Sequence, residues 1–536
     1  LDFTPYFSDI WQIQNVRAEA LVDLRRGQMD VLDMTAFVDG TQAYAQGRIY
    51  LPDENALPDD LPFGISMTAT VDGAFTPETV LKFWPVTLGA DARLWVEENV
   101  REGNFSEAQF RMDLAPDELR DDRLDDEDLQ LDFVFENAVT SFLEDLPSVN
   151  RGRGSARLNG NSFSLDLESG EFSNWTLTAG KVSIPQFKPK GENFYIDAEG
   201  FGDVQDILQT LSDSRLQLEA QYGLNIQDIT GSGQAHFSLI RPALSEVSYE
   251  DTRFTVEGEI TDGGFRELFN EMSLTGSQTD IHVSNELLRI SGYGQFGDAP
   301  MEFTWSDRFR EEGAEDRSTL RASGYVSPDF INRFGVAIRT YMTGSAYAEL
   351  DAFGTSAENW NLINIALDFE ESRLDVEEFS WFKPIGEPAN AVVRVITEEE
   401  EQTTEIAFIA EGVDFQGDVS LGADGRLEDL SVDRIYIEDE LDLRGELRRP
   451  DPLTLELELT GPYLNAAPLL EGVLNAGGAG GSGTLPIFGE VTLDASIDRL
   501  QLRNDLQAQD ATMLVDFSGP RLNSFELAGL LELDNP

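Results

Sequence analysis

The residue types that most often perform chemistry in proteins are scarce in this sequence. Its 536 residues contain no Cys and only two His, His236 and His282, which lie far apart in separate alternating segments. The lack of Cys excludes disulfides, thiolate nucleophiles and zinc–thiolate sites. A catalytic triad or a histidine metal site needs several such groups in one place. We therefore predict no catalytic residue and no metal site.

A glycine-rich run from Gly478 to Gly483 matches the spacing of a dinucleotide-binding loop. It follows a predicted helix and precedes a predicted strand from Leu485 to Leu493, which reverses the strand–turn–helix order that such a loop needs. We interpret it as a linker and predict no cofactor. The acidic run Asp121–Asp128 lacks the glycine and the terminal glutamate of an EF-hand loop, so we interpret it as a solvated loop or helix face.

The charge of the chain limits its partners. There are 100 acidic and 38 basic residues, which give a formal net charge of −62. Nucleic acid is excluded as a partner, because its phosphates need neutralising cations. Anionic lipid headgroups are disfavoured on the outer surface for the same reason, so a lipid ligand must be held by its tails. A solubility coat or a saline habitat explains the charge equally well.

Alternation of apolar and polar residues dominates the sequence and predicts β-strands. Phe163, Leu165 and Leu167 are separated by polar residues, and the segments 406–410, 453–459 and 491–497 show the same period of two. Turn signals with Gly, Asp and Asn follow at short intervals, which favours antiparallel meanders. Short helices are predicted at 76–83, where Thr76 and Pro77 form a helix start, and at 91–100, 202–213, 264–271, 327–334 and 464–474.

These patterns predict a mainly β fold: a long, curled antiparallel sheet, taco-like or rolled into a groove of repeated β units, with a few short helices. A sheet with one apolar face must cover it, and no clear domain boundary recurs at the usual interval, so we expect the sheet to curl around its own apolar face. Tandem β-sandwiches remain the alternative. We divide the chain into residues 1–75 (N-terminal β segment), 76–111 (helical element), 112–471 (main β body of the groove), 472–484 (Gly-rich joint) and 485–536 (C-terminal β segment, truncated).

Three segments resemble one protein family. Phe83-Trp84-Pro85, then Ala92-Arg93-Leu94-Trp95-Val96 and Asn99 through Gly103, resemble the central region of YhdP-like proteins, a branch of the AsmA-like bacterial bridge-like lipid-transfer proteins. The passages from Val182 to Pro185 and from Leu459 to Leu470 are similar to softer motifs of that family. None of these motifs is catalytic. We interpret Trp84, Pro85, Arg93, Trp95 and Gly103 as structural, with the aromatic rings anchoring a helix against a sheet and Arg93 satisfying carbonyls or a carboxylate.

The resemblance implies a rolled sheet with a hydrophobic channel that conducts phospholipids across the periplasm toward the outer membrane. No run of about 18 apolar residues occurs, and the sequence begins at Leu1 without a signal peptide. We therefore expect a piece of a longer, periplasmic chain that is tethered to the inner membrane by a segment outside it. The expected partners are phospholipid acyl chains, with an inner-membrane anchor and outer-membrane docking regions that also lie outside this chain.

The inward residues of the clearest strands are the candidate lining of the groove. They are Phe163, Leu165, Leu167, Leu216, Leu218, Phe408, Leu455, Leu457, Leu493 and Ile497. Each buried CH₂ contributes about 0.8 kcal/mol, so an acyl chain needs no specific polar group. The same side chains could instead fill a closed core. The rival functions are a β-sandwich or β-solenoid surface protein of the adhesin type and a polysaccharide-active enzyme, for which the sequence places no cleft.

Overall fold

The structure is a computed structural model, and it describes most of the chain. The described residues are 13–38, 41–51, 63–84, 86, 90–116, 118, 123–141, 147–212, 225–244, 247–248, 251–269, 272–309, 311, 313–334, 338–356, 359–377, 381–398, 401–421, 427–451, 453–467, 490–503, 505–518 and 521–533. The predicted Gly-rich joint lies outside them.

Thirty strands make up most of the described chain. The first fifteen are β1 (Ile13–Asp23), β2 (Gln28–Val38), β3 (Thr41–Tyr50), β4 (Gly64–Asp72), β5 (Val100–Leu114), β6 (Leu129–Thr140), β7 (Val149–Asn159), β8 (Phe163–Phe172), β9 (Trp175–Ile184), β10 (Asn193–Asp203), β11 (Ile229–Pro242), β12 (Arg253–Phe269), β13 (Met272–Ser284), β14 (Leu287–Phe296) and β15 (Ala299–Arg308). The others are β16 (Ser318–Val326), β17 (Met342–Gly344), β18 (Ala346–Gly354), β19 (Trp360–Asp368), β20 (Ser372–Val376), β21 (Trp381–Lys383), β22 (Ala389–Glu398), β23 (Glu401–Ala410), β24 (Val413–Leu421), β25 (Leu427–Ile437), β26 (Leu441–Asp451), β27 (Thr454–Asn465), β28 (Glu490–Arg503), β29 (Leu506–Ser518) and β30 (Arg521–Leu533).

The helices among the described residues are few and short. They are α1 (Pro77–Phe83), α2 (Ala90–Asn99), α3 (Val204–Ser212) and α4 (Pro328–Asn332), with single 3-10 turns at Ile226–Asp228 and Ile338–Thr340. No helix among the described residues is long and apolar enough to span a bilayer. Twenty-seven strands belong to one mainly antiparallel sheet and three short ones to a second. The predicted fold class, a mainly β chain built on a long antiparallel sheet with a few short helices, is confirmed.

The chain divides into two compact units. Unit 1 comprises Leu1–Phe265 and Gln278–Leu288, and unit 2 comprises Arg266–Ser277 and Arg289–Pro536. In unit 1, β1 to β12 pair in chain order, each antiparallel to the next. In unit 2, β15, β16, β18, β19 and β22 to β30 pair in that order. The one exception to antiparallel pairing in these two runs is β27 with β28, which are parallel.

Four of the predicted helices are confirmed by α1 to α4. The Thr76 side chain caps α1 by accepting a hydrogen bond from the backbone amide of Thr79, and Pro77 occupies the first turn of the helix as expected. The helix predicted at 264–271 is wrong, because residues through Phe269 continue β12; Ile229 on β11 pairs with Phe265, and this long-range ladder overrides the local helical spacing. The helix predicted at 464–474 does not begin at 464, because β27 extends to Asn465; Ala467 is helical, and residues 468–474 lie outside the described residues.

Bulges keep the apolar side chains on one face. In β5 the register with β6 shifts between Ser106 and Gln109, where Glu107 has a φ of 53°. Phe105 and Ala108 are three residues apart, yet both are buried, so the extra residue resets the alternation. Without the bulge, every apolar residue beyond it would point to the opposite face.

Inward-facing glycines mark places where neighbouring strands approach closely. A Cβ on Gly154 of β7 would collide with the carbonyl oxygen of Asp166, and one on Gly445 of β26 with the carbonyl oxygen of Glu458. Glycine at such positions permits a sharp local bend that a larger residue would prevent.

Candidate lipid-binding face

The cross-strand registers align the inward side chains into apolar rows that run perpendicular to the strands. We call each row a lane: a set of residues that are direct neighbours on successive strands and point to the same face. Residues two apart on a strand belong to adjacent lanes, which are therefore separated by about 6.6 Å. Three lanes in unit 1 and four in unit 2 consist almost wholly of apolar residues and Gly.

Unit 1 contains lanes a, b and c. Lane a crosses β1 to β9 and consists of Ala18, Met34, Ala45, Ala69, Phe110, Leu131, Leu158, Phe163 and Ile184. Lane b crosses β6 to β12 and consists of Phe133, Ala156, Leu165, Val182, Ile196, Leu239 and Phe254. Lane c crosses β5 to β12 and consists of Phe105, Phe135, Gly154, Leu167, Gly180, Ala198, Phe237 and Val256.

Unit 2 contains two lanes that each cross thirteen strands. Lane 3 consists of Phe303, Ala322, Leu350, Ile365, Val393, Ile406, Gly417, Val432, Gly445, Leu459, Ala495, Met513 and Leu527. Lane 4 consists of Trp305, Leu320, Ala352, Ile363, Val395, Thr404, Val419, Leu430, Leu447, Leu457, Leu493, Val515 and Phe525. Thr404 is the single polar residue in either lane.

Two further lanes lie on the other side of lane 3. Lane 2 consists of Met301, Gly324, Ala348, Leu367, Ala391, Phe408, Phe415, Ile435 and Leu443. Lane 1 borders lane 2 on the side away from lane 3, two residues from the lane 2 position on each strand that the two lanes share. It includes Ala299, Val326, Ala346, Phe369, Ala389, Ala410, Val413, Ile437, Leu441, Leu464, Leu500, Ala508 and Leu531.

Burial changes systematically from lane 1 to lane 4. Ten of the thirteen lane 1 residues are buried; the exceptions are Ala410, Val413 and Leu531. The large side chains of lane 3 are all only half-buried, and so are those of lane 4 apart from the buried Val515 and the exposed Phe525. A closed β-sandwich core would bury such side chains almost completely. Lane 1 is therefore sealed, whereas lanes 3 and 4 present apolar surface that no described part of the chain covers.

The predicted groove residues fall at different depths. Phe163, Leu165 and Leu167 are half-buried members of lanes a, b and c, and they pack against the buried Phe105 and Phe135.

On β27 and β28, Leu457 and Leu493 are direct neighbours in lane 4, and Leu455 lies one lane beyond them beside Val491. Phe408 lies in lane 2 against Phe369 and Trp381. Ile497 is 1% exposed and belongs to the packed cluster of lane 1 and its neighbours. Leu216 and Leu218 lie outside the described residues.

Sequence reasoning missed most of the lane residues. Ile363, Ile365, Val393 and Val395 belong to lanes 3 and 4, yet their strands carry apolar residues on both faces, so alternation does not single them out. The signal that finds them is the register, which places them in the same rows as residues of the clearly alternating strands β27 and β28.

The residues that carry the family resemblance serve the two helices before β5. Arg93 of α2 donates to the Leu81 carbonyl at the end of α1 and to the Glu97 carboxylate, with N–O distances of 3.3 and 3.1 Å. Trp84 is half-buried where α1 ends, and Trp95 is 37% exposed. Gly103 has a φ of 152° and approaches the backbone of Ala138 closely. Pro85 lies outside the described residues. The hydrogen bond from Arg93 to Leu81 joins α1 to α2.

The opposite face of the sheet carries most of the charged side chains, together with some exposed apolar ones such as Val392 and Ile409. Arg157 donates to Asp132 at 2.5 Å, and this hydrogen bond raises the pKa of the Arg157 guanidinium. His236 and His282 also lie on this face, and a ring nitrogen of each lies 3.7 and 3.8 Å from the carboxylates of Asp197 and Glu257, respectively. No three His, Asp or Glu side chains among the described residues converge in a way that would hold a metal ion.

The chain belongs to the YhdP family, because the family model described as YhdP protein matches residues 1–535. This is the AsmA-like, YhdP-like group of lipid-transfer proteins of the bacterial envelope, so the resemblance inferred from the Trp-Pro and Ala-Arg-x-Trp segments is confirmed. No curated protein and no solved structure matches the sequence.

Proposed function

We propose that this protein is a non-enzymatic phospholipid conduit whose uncovered lanes hold acyl chains. The single observation that carries the proposal is that the large side chains of lanes 3 and 4, apart from the buried Val515 and the exposed Phe525, are only half-buried across thirteen strands of unit 2. Thirteen strands span about 58 Å, whereas one leaflet of a bilayer core is roughly 15 Å thick. One lane therefore exceeds the length of a single acyl chain several times.

The chemistry of the lanes suits movement as well as binding. Each CH₂ removed from water contributes about 0.8 kcal/mol wherever it lies on an apolar surface. Because lanes 3 and 4 contain one polar residue among 26, the binding free energy changes little from strand to strand. A lipid can then slide along the lane without meeting a deep trap.

The candidate residues take graded roles in this proposal. Phe163, Leu165, Leu167, Leu457 and Leu493 line the lipid path directly, and Leu455 extends it by one position. Phe408 and Ile497 belong to the packed floor on which the path rests.

The outer face carries acidic side chains such as Glu458 and Asp494, which are direct neighbours on β27 and β28. Like charges side by side repel anionic headgroups, so the tails, not the outer face, make the contact. We further propose a periplasmic location between the inner and outer membranes, with an inner-membrane anchor and outer-membrane docking regions outside this chain. The adhesin-like alternative is weaker, because it calls for closed cores in both units.

Lipid extraction tests the proposal. The protein is expressed in the periplasm of a Gram-negative host, purified without detergent and extracted for mass spectrometry. We expect more than one phospholipid per chain. The double variant Leu457→Asp, Leu493→Asp should retain markedly less lipid, because it places two carboxylates in lane 4.

The matched control is Glu458→Gln, Asp494→Asn on the opposite face of the same two strands, which should retain the wild-type amount. Circular dichroism verifies that both variants fold. A lipid-free wild-type protein, or equal lipid content in the two variants, would overturn the proposal.

A further inference from the structure

Four short elements lie over part of the apolar face of unit 2. They are α4 and the three-stranded sheet formed by β17, β20 and β21, and together we call them the cap. Each interrupts the meander: α4 and β17 lie between β16 and β18, and β20 and β21 lie between β19 and β22. The cap is thus an insertion into the run of long strands.

The cap packs mainly on lanes 1 and 2. Its residues Phe330, Ile331, Met342 and Leu374 are buried in one cluster with sheet residues of β15 to β23. The sheet residues from these strands in that cluster are Ala299, Val326, Ala346, Phe369, Ala389 and Ala410 from lane 1, and Met301, Ala348, Leu367, Ala391 and Phe408 from lane 2. No described residue of lane 3 or lane 4 belongs to the cluster, so the edge of the cap follows the boundary between lanes 2 and 3.

An aromatic contact seats the cap on the sheet. Trp381 of β21 stands edge-on to Phe408 of lane 2, with ring centroids 6.3 Å apart and an interplanar angle of 87°. Its indole N–H donates to the carbonyl of Glu411 at 3.1 Å. Phe382, the next residue, points to the other side of the cap and is 59% exposed.

Lys383 fastens the cap from within. Its side chain is almost wholly buried, at 2% exposure, and its ammonium donates to the carbonyls of Phe369, Ser372 and Pro384 at 2.7, 2.8 and 3.0 Å. A fourth carbonyl, that of Glu370, lies at 3.4 Å. Phe369 and Glu370 lie between β19 and β20, whereas Pro384 directly follows β21, so one side chain ties together the segments that enter and leave this part of the cap. Charge-assisted bonds of this kind are stronger than neutral ones.

We propose that the cap closes lanes 1 and 2 to acyl chains and confines lipid to lanes 3 and 4 in this part of unit 2, with Lys383 and Trp381 holding it shut. The inference rests on the proposed function and adds the width of the path, which is the two lanes beside the cap. Removing the cap would admit acyl chains to twice as many lanes.

Cysteine labelling tests the cap, because the chain has no Cys of its own. Ala348→Cys and Leu350→Cys place thiols two residues apart on the same face of β18, in lanes 2 and 3. N-dodecylmaleimide serves as the acyl-like probe and N-ethylmaleimide as the small probe. We expect the Cys at 348 to react with both at least about tenfold more slowly than the Cys at 350, because labelling it requires the cap to open.

Cap variants complete the experiment. In the Ala348→Cys background, Trp381→Ala should raise the labelling rate toward that of the lane 3 thiol, and Lys383→Met should do the same. Phe382→Ala on the exposed side of β21 is the matched control and should leave the rate unchanged. If Lys383→Met does not fold, Trp381→Ala alone decides.

The outcomes separate the two proposals. If the thiols at positions 348 and 350 react with N-ethylmaleimide at equal rates while the cap is intact, the proposal that the cap closes lanes 1 and 2 is overturned. If the thiol at position 350 reacts no faster with N-dodecylmaleimide than with N-ethylmaleimide, the proposed function is overturned. The assignment of acyl chains to the open lanes then falls with it. Slow labelling at 348, fast labelling at 350 and a preference for the long tail together support both.

Discussion

Replacing Gly154 by Ala tests how tightly the strands bend toward the apolar face. A Cβ at this position of lane c would lie 2.8 Å from the Phe135 ring and would also collide with the carbonyl oxygen of Asp166. A side-chain ring can rotate away, but the carbonyl belongs to the neighbouring strand, so the backbone must move. Overpacking of this kind costs about 3 kcal/mol, near the upper end of its usual range.

Gly180 provides the matched control, because it occupies the same lane two strands away. A Cβ there would meet only the Leu167 side chain closely, at 3.2 Å. Ala also lowers the entropy of the unfolded chain by about 0.4–1 kcal/mol relative to Gly, so we expect Gly180→Ala to change stability by less than about 1 kcal/mol.

Urea unfolding followed by far-ultraviolet circular dichroism measures both variants. Gly154→Ala should unfold at a clearly lower urea concentration than the wild type, and Gly180→Ala close to it. Equal midpoints for the two variants would refute the reasoning that a close strand approach requires glycine at position 154.

Three other substitutions test separate parts of the fold. Glu107→Gly should raise the free energy of unfolding by about 0.5 kcal/mol, because a φ of 53° strains any residue with a Cβ; a lower urea midpoint would contradict this. Arg317→Gln should lower the free energy of unfolding by about 3 kcal/mol, because it leaves the buried Asp307 carboxylate, which lies 3.0 Å from the guanidinium, without its counter-ion. Adding Asp307→Asn should recover part of this stability. If the double variant recovers none, the ion pair does not stabilise the fold as expected. Burial lowers the pKa of the Lys383 ammonium below its usual 10.5, so the unfolded chain binds this proton more tightly and the stability should rise as the pH approaches 10.5. Lys383→Met should abolish this rise in pH-dependent urea midpoints, and an unchanged pH profile would contradict it.

Local sequence patterns predict the strands and most helices because both follow from short-range chemistry. Leu493 alternates with the polar Thr492 and Asp494, and the register places it on the inward face. The Thr76-Pro77 start of α1 is equally local. The segment 264–271 shows the limit of such reasoning, because its helical spacing is outweighed by pairing with β11, about 35 residues away in the chain.

The lanes and the cap depend on information that alternation does not carry. Leu457 and Leu493 are each recognisable as inward residues, but that they touch follows from a parallel register between β27 and β28. A one-residue bulge such as that at Glu107 changes every later position of its strand, and the sequence does not mark it. Lys383 reads as an ordinary charged residue, and only the fold brings the carbonyls around it.

Site-specific photo-crosslinking in intact cells tests the central claim most directly. A photoreactive amino acid is placed at Leu457 or Leu493 in lane 4, and at Glu458 or Asp494 on the opposite face of the same strands. We expect covalent phospholipid adducts from the two lane positions and none from the two outer positions. Adducts from both faces alike, or from neither, would contradict it.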